Sequence, residues 1–205
     1  MTEEHVKSIL GEVSGWMTAD PIETARMILR PFHDDADDFS DFYEFASQKE
    51  LQRLSGMEGI DSPESARDEF NKMLPTNHPP LSFAVVLKEN MKIVGHFSIG
   101  IYPFVITDKA LENKRGVSLS FALSEKYQKA GLMTELLSSA LDYYFCRGLD
   151  FVNCGYFEFN EGSKRLQEKV GMHYYMDHIV ERDGKKINTK EMILFRDEYR
   201  KQIAT

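Results

Sequence analysis

YQKAGLMTEL, from Tyr127 to Leu136, sets a single glycine at the start of a long helical pattern. Helix starts ordinarily carry Ser, Thr, Asp or Asn, whose side-chain oxygen accepts a first-turn amide. A glycine there implies a backbone turn that other residues resist, or bare amides lying against something. Upstream, GVSLSFAL (116–123) reads as a strand with Val117, Leu119 and Phe121 on one face. Downstream, Leu132, Leu136, Leu137, Ala140, Leu141, Tyr144 and Phe145 keep helical period until Arg147-Gly148, a basic residue followed by a capping glycine. A strand, a glycine loop and a helix N-terminus in succession make an anion-binding device. The loop amides converge, the helix dipole is positive there, and glycine lets a phosphate approach. Neither GxxxxGKS/T nor GxGxxG spacing is present, so spacing alone leaves a plain turn as the commoner reading.

Outward from this stretch, helical and strand patterns alternate. Residues 1–17 place Val6, Ile9, Leu10, Val13 and Met17 on one helical face, which ends before Pro21. This amphipathic extension, residues 1–20, has two destinations: the main domain or a second subunit, the latter giving a homodimer. TARMILRPF (24–32) reads as a strand with Met27 and Leu29 facing opposite to Ile28 and Arg30. Residues 34–56 read as one helix burying Phe39, Phe42, Tyr43 and Ala46. Its acidic start, DDADD, suits the helix macrodipole. Ser62 caps a further helix with Pro63 at its first position.

LPTNHPPL (74–81) is a loop, and a hairpin turning near Lys88-Glu89-Asn90 follows. Residues 106–115 read as polar loop. After the long helix, DFVNCGYFEF (150–159) is a buried strand, and Asn160 caps a short helix closed by Gly171. A last hairpin turns around Arg182-Asp183-Gly184-Lys185. This order predicts a mixed α/β fold: a central twisted mixed sheet of about seven strands flanked by helices, in one domain over residues 21–205.

Composition narrows the class. The 205 residues are 42% hydrophobic, enough for a sizeable core without disulfide staples. A formal charge of −8 argues against nucleic-acid partners and anionic membrane surfaces. It would draw in a cationic substrate, an amine or a basic peptide, or serve solubility alone. Cys146 and Cys154 lack metal-type spacing and read as reduced core residues of a cytosolic protein. Glu3, Glu4 and Lys7 stand where a secretion signal is apolar, so a soluble, cytoplasmic protein is expected. The six histidines are scattered without H-x-x-x-H spacing, so no metal is expected.

Gln128-Lys129-Ala130-Gly131-Leu132-Met133 resembles the Q/R-x-x-G-x-G/A segment of the GNAT superfamily of acyl-coenzyme A-dependent N-acetyltransferases. With the aromatic Tyr127 before it and Thr134-Glu135 after it, the stretch is similar to the branch holding the ribosomal-protein N-terminal acetyltransferases. TARMILRPF resembles the family's opening strand, and NEGSKRLQEKVGM (160–172) its N-x-x-S…K-x-G-F/M segment. The D-G hairpin and RDEY (196–199) resemble its C-terminal end. The likeness implies that amides from Lys129 to Thr134 hold the pyrophosphate of acetyl-CoA. It further implies that the backbone of Phe121 and Leu123 pairs with the pantetheine arm like an added strand, that Asn160 bonds pantetheine, and that Ser163 lies near the thioester sulfur. Asn160 reads equally as a helix cap, and Ser163 as a surface helix residue.

The implied activity is acetyl transfer to a primary amine: a protein N-terminus, a polyamine or another small amine. Met133 departs from the family's Gly or Ala, but an amide contact tolerates a side chain. A second departure matters more. Val117-Ser118-Leu119-Ser120 supplies no strand glutamate, yet an attacking amine must lose its proton. Glu158 is a candidate base, against a solvent-facing strand carboxylate. His96 is another, against a histidine packed in a sheet. A water chain would need neither, and Ser163 would protonate the leaving thiolate. The missing strand glutamate keeps a non-catalytic acyl-CoA sensor open as the alternative.

Overall fold

Alternation along β1 (Met27–Pro31) buries Met27 and Leu29 fully and leaves Ile28 and Arg30 half-buried, so this strand has one face on the main core. The central strands β2 (Ser82–Leu87), β3 (Ile93–Gly100), β4 (Gly116–Leu123) and β5 (Phe151–Phe157) are buried on both faces over most of their length, and β6 (His173–Arg182) and β7 (Lys185–Phe195) complete the set. The computed structural model describes residues 2–75, 81–182 and 184–203. The seven strands form one sheet of order β1-β2-β3-β4-β5-β7-β6. Neighbours are antiparallel except β4 and β5, which run parallel and are joined through the helix α6 (Leu132–Cys146).

Two helical layers cover the sheet. On one face, α1 (Glu3–Ala19) and α6 close a core of Ile9, Val13, Met17, Leu136, Tyr144 and their strand partners. The N-terminal helix is therefore part of this domain's core. Tyr144 donates to Met17 Sδ at 3.0 Å and Tyr143 to the Asp20 carbonyl at 2.9 Å. On the other face, α2 (Ala36–Ala46), α3 (Lys49–Ser55) and α4 (Pro63–Met73) cover a cluster in which Phe42, Phe45 and Phe70 of the helices join Phe32, Ala84, Val86 and Ala122. Arg30 holds the buried Asp38 of α2 with two contacts of 2.6 Å. Burial alone would raise Asp38, but Arg30 and the His33 amide outweigh it and hold its carboxyl low.

The expected helix over 34–56 is broken at Ser47-Gln48. Gln48 leaves the helix to bond the end of β4: its Nε2 donates to Ser124 Oγ at 3.0 Å, and its Oε1 accepts from Glu125 N–H at 2.9 Å. That tertiary pair, invisible to periodicity, positions the glycine loop. Residues 103–107 form a short helix, α5 (Pro103–Thr107), whose end overlaps the stretch expected to be loop. Pro103 at its first position fits a helix start. Cys146 is exposed rather than in the core, whereas Cys154 is buried as expected. Helices α7 (Glu161–Lys169) and α8 (Arg196–Ile203) complete the chain, α8 over the RDEY segment. Most of the 74–81 loop, and Asp183 of the D-G turn, lie outside the described residues. Gly184 takes φ +68°, as that turn requires.

Candidate active site

The two parallel strands part company halfway along. Pairing runs from Gly116 opposite Phe151 to Leu119 opposite Cys154, then stops. Beyond it, β4 follows β3 while β5 follows β7. A cavity of about 600 Å³ occupies the wedge, reached by Leu119, Phe121, Tyr156, Asn160, Ser163 and Glu191. Ser124 N–H donates to Val94 O at 2.8 Å. Peptide groups alternate in direction along a strand, so those of Phe121 and Leu123 point away from β3 into the gap. Phe121 pairs with no residue of β5. The Leu123 carbonyl accepts from Gln128 Nε2 at 2.8 Å.

At the end of β4 the chain enters the glycine loop. Lys129 (φ +60°) and Gly131 (φ +76°) both take left-handed backbone, and Gly131 is the N-cap residue of α6 with no side-chain cap. Among the described residues, no backbone carbonyl accepts from the amides of 129–134, and the helical bonds begin with Glu135 N–H on Gly131 O at 3.0 Å. Six successive amides thus stand without backbone partners at a positive helix end. Arg26 fixes the loop from outside. Its Nη1 donates to Ala130 O at 3.0 Å, and its Nε pairs with Glu135 Oε2 at 2.7 Å. Burial works against the Glu135 charge, but Thr24 and Arg26 hold its carboxyl below the ordinary range. Arg26 lies in a quoted strand segment, yet only this long-range pairing gives it a role.

The gap also holds a carboxylate that sequence reasoning missed. Glu191 of β7 is 1% exposed and lines the cavity. Burial pushes its pKa up to about 7, against the opposing pull of Asn153. Asn153 Nδ2 donates to Glu191 Oε2 at 3.3 Å, Ser118 Oγ donates to Asn153 Oδ1 at 2.9 Å, and Tyr102 N–H donates to Ser118 Oγ at 2.9 Å. This buried chain links β4, β5 and β7 beneath the wedge. Oε1 has no hydrogen-bond partner among the described residues. His178 Nδ1 lies 3.2 Å away, in ion-pair range but outside hydrogen-bond alignment, and burial lowers the pKa of that imidazole. Gly155 makes the room: a methyl there would overlap Glu191 Oε1 and reach 3.2 Å from Thr189 Cγ2. In sequence, Glu191 looks like one more charge in KINTKEMILF. The detectable signal is a carboxylate in a strand position that burial later claims.

The residues singled out from sequence divide into those at the wedge and those away from it. Phe121, Asn160 and Ser163 line the cavity. Leu123, Gln128, Lys129, Ala130, Gly131, Leu132, Met133 and Thr134 form the strand end and loop beside it. Asn160 caps α7 by accepting Ser163 N–H at 3.0 Å, while its Nδ2 donates to Leu54 O at 3.1 Å. Ser163 Oγ accepts from Gln167 Nε2 at 2.9 Å, leaving its own proton to give. Glu158 is exposed and outside the cavity lining. Asn188 and Lys190 hold it, and both lower its carboxyl. His96 is buried on the opposite helical layer against Phe45, and burial drives its pKa down to about 4. His33, Asp35 and Asp38 group their ligand atoms within 4.8 Å, but Arg30 occupies both Asp38 oxygens. Among the described residues no helix is long and apolar enough to cross a membrane.

The family model described as an acetyltransferase (GNAT) domain matches residues 26–173. No curated protein matches the chain. Solved structures do. A GNAT-family acetyltransferase from Bacillus anthracis superposes with TM-score 0.71 at 20% identity, over 86% of this chain and 99% of that one. The RimL ribosomal α-N-protein acetyltransferase in complex with coenzyme A gives 0.65 at 14% identity, over 87% and 99%. A spermidine N-acetyltransferase from Vibrio cholerae, in complex with CoA and spermine, gives 0.62 at 18% identity, over 84% and 97%.

Proposed function

Because the chain belongs to the GNAT acetyltransferase family, we propose that it moves the acetyl group of acetyl-CoA to a primary amine bound in the same wedge. Acceptors named for structural neighbours, a ribosomal protein and a polyamine, are both of this kind. The residues present suit the coenzyme. The bare amides of 129–134 and the left-handed backbone at Lys129 and Gly131 suit a pyrophosphate. The open peptide edge at Phe121 suits an extended amide arm laid beside β4. When bound, acetyl-CoA supplies an activated acyl group on a sulfur leaving group.

The observation that carries the reading is Glu191, a buried carboxylate poised near neutrality at the strand gap. It replaces Glu158 as the base, since Glu158 is exposed and committed to Lys190. Glu191 takes the proton that the acceptor's ammonium must lose, and the freed nitrogen lone pair forms the new bond to the acetyl carbon as the C–S bond breaks. The Ser163 hydroxyl gives a proton to the departing sulfur and regains one from the nitrogen, which sheds its second proton as the amide forms. Asn153 and Ser118 hold the carboxylate in place, and the surrounding apolar walls keep water away from it. With a base available, the reason for reading the chain as a non-catalytic sensor disappears. The test is release of free thiol from acetyl-CoA with a panel of amines. Glu191→Gln is expected to bind the coenzyme with unchanged affinity yet release little thiol. Full turnover by that variant would remove Glu191 from the mechanism.

A further inference from the structure

We propose that the acceptor carries one positive charge on an uncharged, apolar body, and that polyamines are poor substrates. This inference rests on the transferase reading above and concerns the acceptor half of the same cavity.

Of the described residues lining the cavity, Glu191 is the one carboxylate. Leu54, Phe104 and Val180 supply apolar wall around it, and His178 and Thr189 add polar atoms but no second anion. Three acidic groups close in sequence to lining residues are engaged elsewhere. Glu58 pairs with Arg182, Asp108 accepts from the Tyr175 hydroxyl, and Glu158 pairs with Lys190 at 3.2 Å. Arg182 of β6 also donates to the carbonyls of Gln52 at 2.9 Å and Met57 at 3.0 Å. The end of α3 is thereby tied to the hairpin across the cavity, so the apolar wall is anchored from both sides. Phe104 packs against Tyr102 and His178, with ring centroids 6.2 Å apart in each pair.

A polyamine carries further ammonium groups a few carbons from the first. With the first at Glu191, a second would lie against apolar wall with no anion to meet it, and a buried unpaired charge is strongly disfavoured. An apolar stem in the same place gains from burial. The net charge of −8 therefore acts at long range on any cation, while the wall selects the one with a single charge.

The discriminating experiment measures thiol release from acetyl-CoA with three acceptors: phenethylamine, a C-terminally amidated peptide beginning with free Ala-Phe, and spermidine. We expect kcat/KM for at least one of the first two to exceed that for spermidine by about tenfold or more. Phenethylamine ahead of the peptide identifies a free small amine, and the reverse identifies a chain terminus. Spermidine turned over as well as either overturns the inference while leaving the transferase reading intact. An absence of thiol release with all three acceptors removes that reading and this one together. Val180→Glu provides a second arm. Val180 is half-buried on an edge strand and shares the sheet face of His178 and Glu191, so the change adds an anion to the wall. Spermidine turnover relative to phenethylamine is expected to rise several-fold, and an unchanged ratio overturns the inference.

Discussion

The strands β4 and β5 are fused along one half and separate along the other. Over 116–119 and 151–154 they share a parallel ladder whose residues, such as Val117, Val152 and Cys154, are buried in the common core. Over 120–123 and 155–157 each follows a different neighbour, and a cavity stands between them. The fused half is buried on both faces, one apolar through Val117, Leu119, Val152 and Cys154 and the other closed by the hydrogen-bonded pair Ser118–Asn153 beside Phe151. The open half replaces that with groups that have reasons to remain unpaired: Gly155 beside Glu191, the peptide edge of Phe121, and the uncapped start of α6. One pair of strands thus provides both the rigid floor and the reactive opening. What distinguishes the halves is whether a side chain can close the space between them.

The contrast can be broken most severely at Glu191. Glu191→Gln should lower kcat about 10²–10⁴-fold, the usual worth of a positioned base. In the wild type, kcat/KM should climb with pH through about 7, where the Glu191 carboxyl loses its proton, and then level off. That limb should be absent from the residual activity of the variant. The same group affects stability. Its folded pKa lies above its unfolded value of about 4.5, so the native state binds the extra proton in between. Stability should therefore fall as pH rises from about 4.5 to 7, by a total on the order of 3 kcal/mol. Glu191→Gln should flatten that slope in denaturant titrations at pH 5 and pH 8. An unchanged slope would assign the pH dependence elsewhere.

At the loop, Gly131→Asp places a side chain at φ +76° and an anion against the bare amides. Left-handed strain of roughly 1–2 kcal/mol plus the charge should weaken coenzyme binding about 10²-fold by calorimetry. The fold should survive, because a methyl at Gly131 meets nothing closer than Arg26 Nη2 at 3.7 Å. Gly155→Ala sharpens the comparison from the opposite side. The added methyl pushes on Glu191, so turnover should drop about tenfold while coenzyme affinity holds. A matching loss in coenzyme affinity would mean that the two ends of the wedge are not independent.

These tests also separate what was readable from what was not. The helix 34–56 looked continuous because its apolar period runs through Ser47-Gln48. The break exists because Gln48 finds Ser124 and Glu125, partners some 76 residues away in sequence. Cys146 kept helical period yet faces solvent, since period gives a face but not what covers it. Glu158 stands out locally as a strand-end carboxylate, whereas nothing local distinguishes Glu191. Their environments, an ion pair with Lys190 for one and burial beside Asn153 for the other, arise only once β5 and β7 are paired.

The sequence by itself determined the order of the seven strands, the long helix after β4 and the glycine loop of YQKAGLMTEL. These depend on local quantities: side-chain period, backbone freedom at glycine, and capping chemistry within a few residues. Only the tertiary structure decided that β4 and β5 separate after Leu119, that Arg26 anchors the loop, and that Glu191 is a buried carboxylate with a pKa of about 7. Desolvation is a property of the whole surrounding shell, and that shell is assembled from strands and helices far apart in the chain.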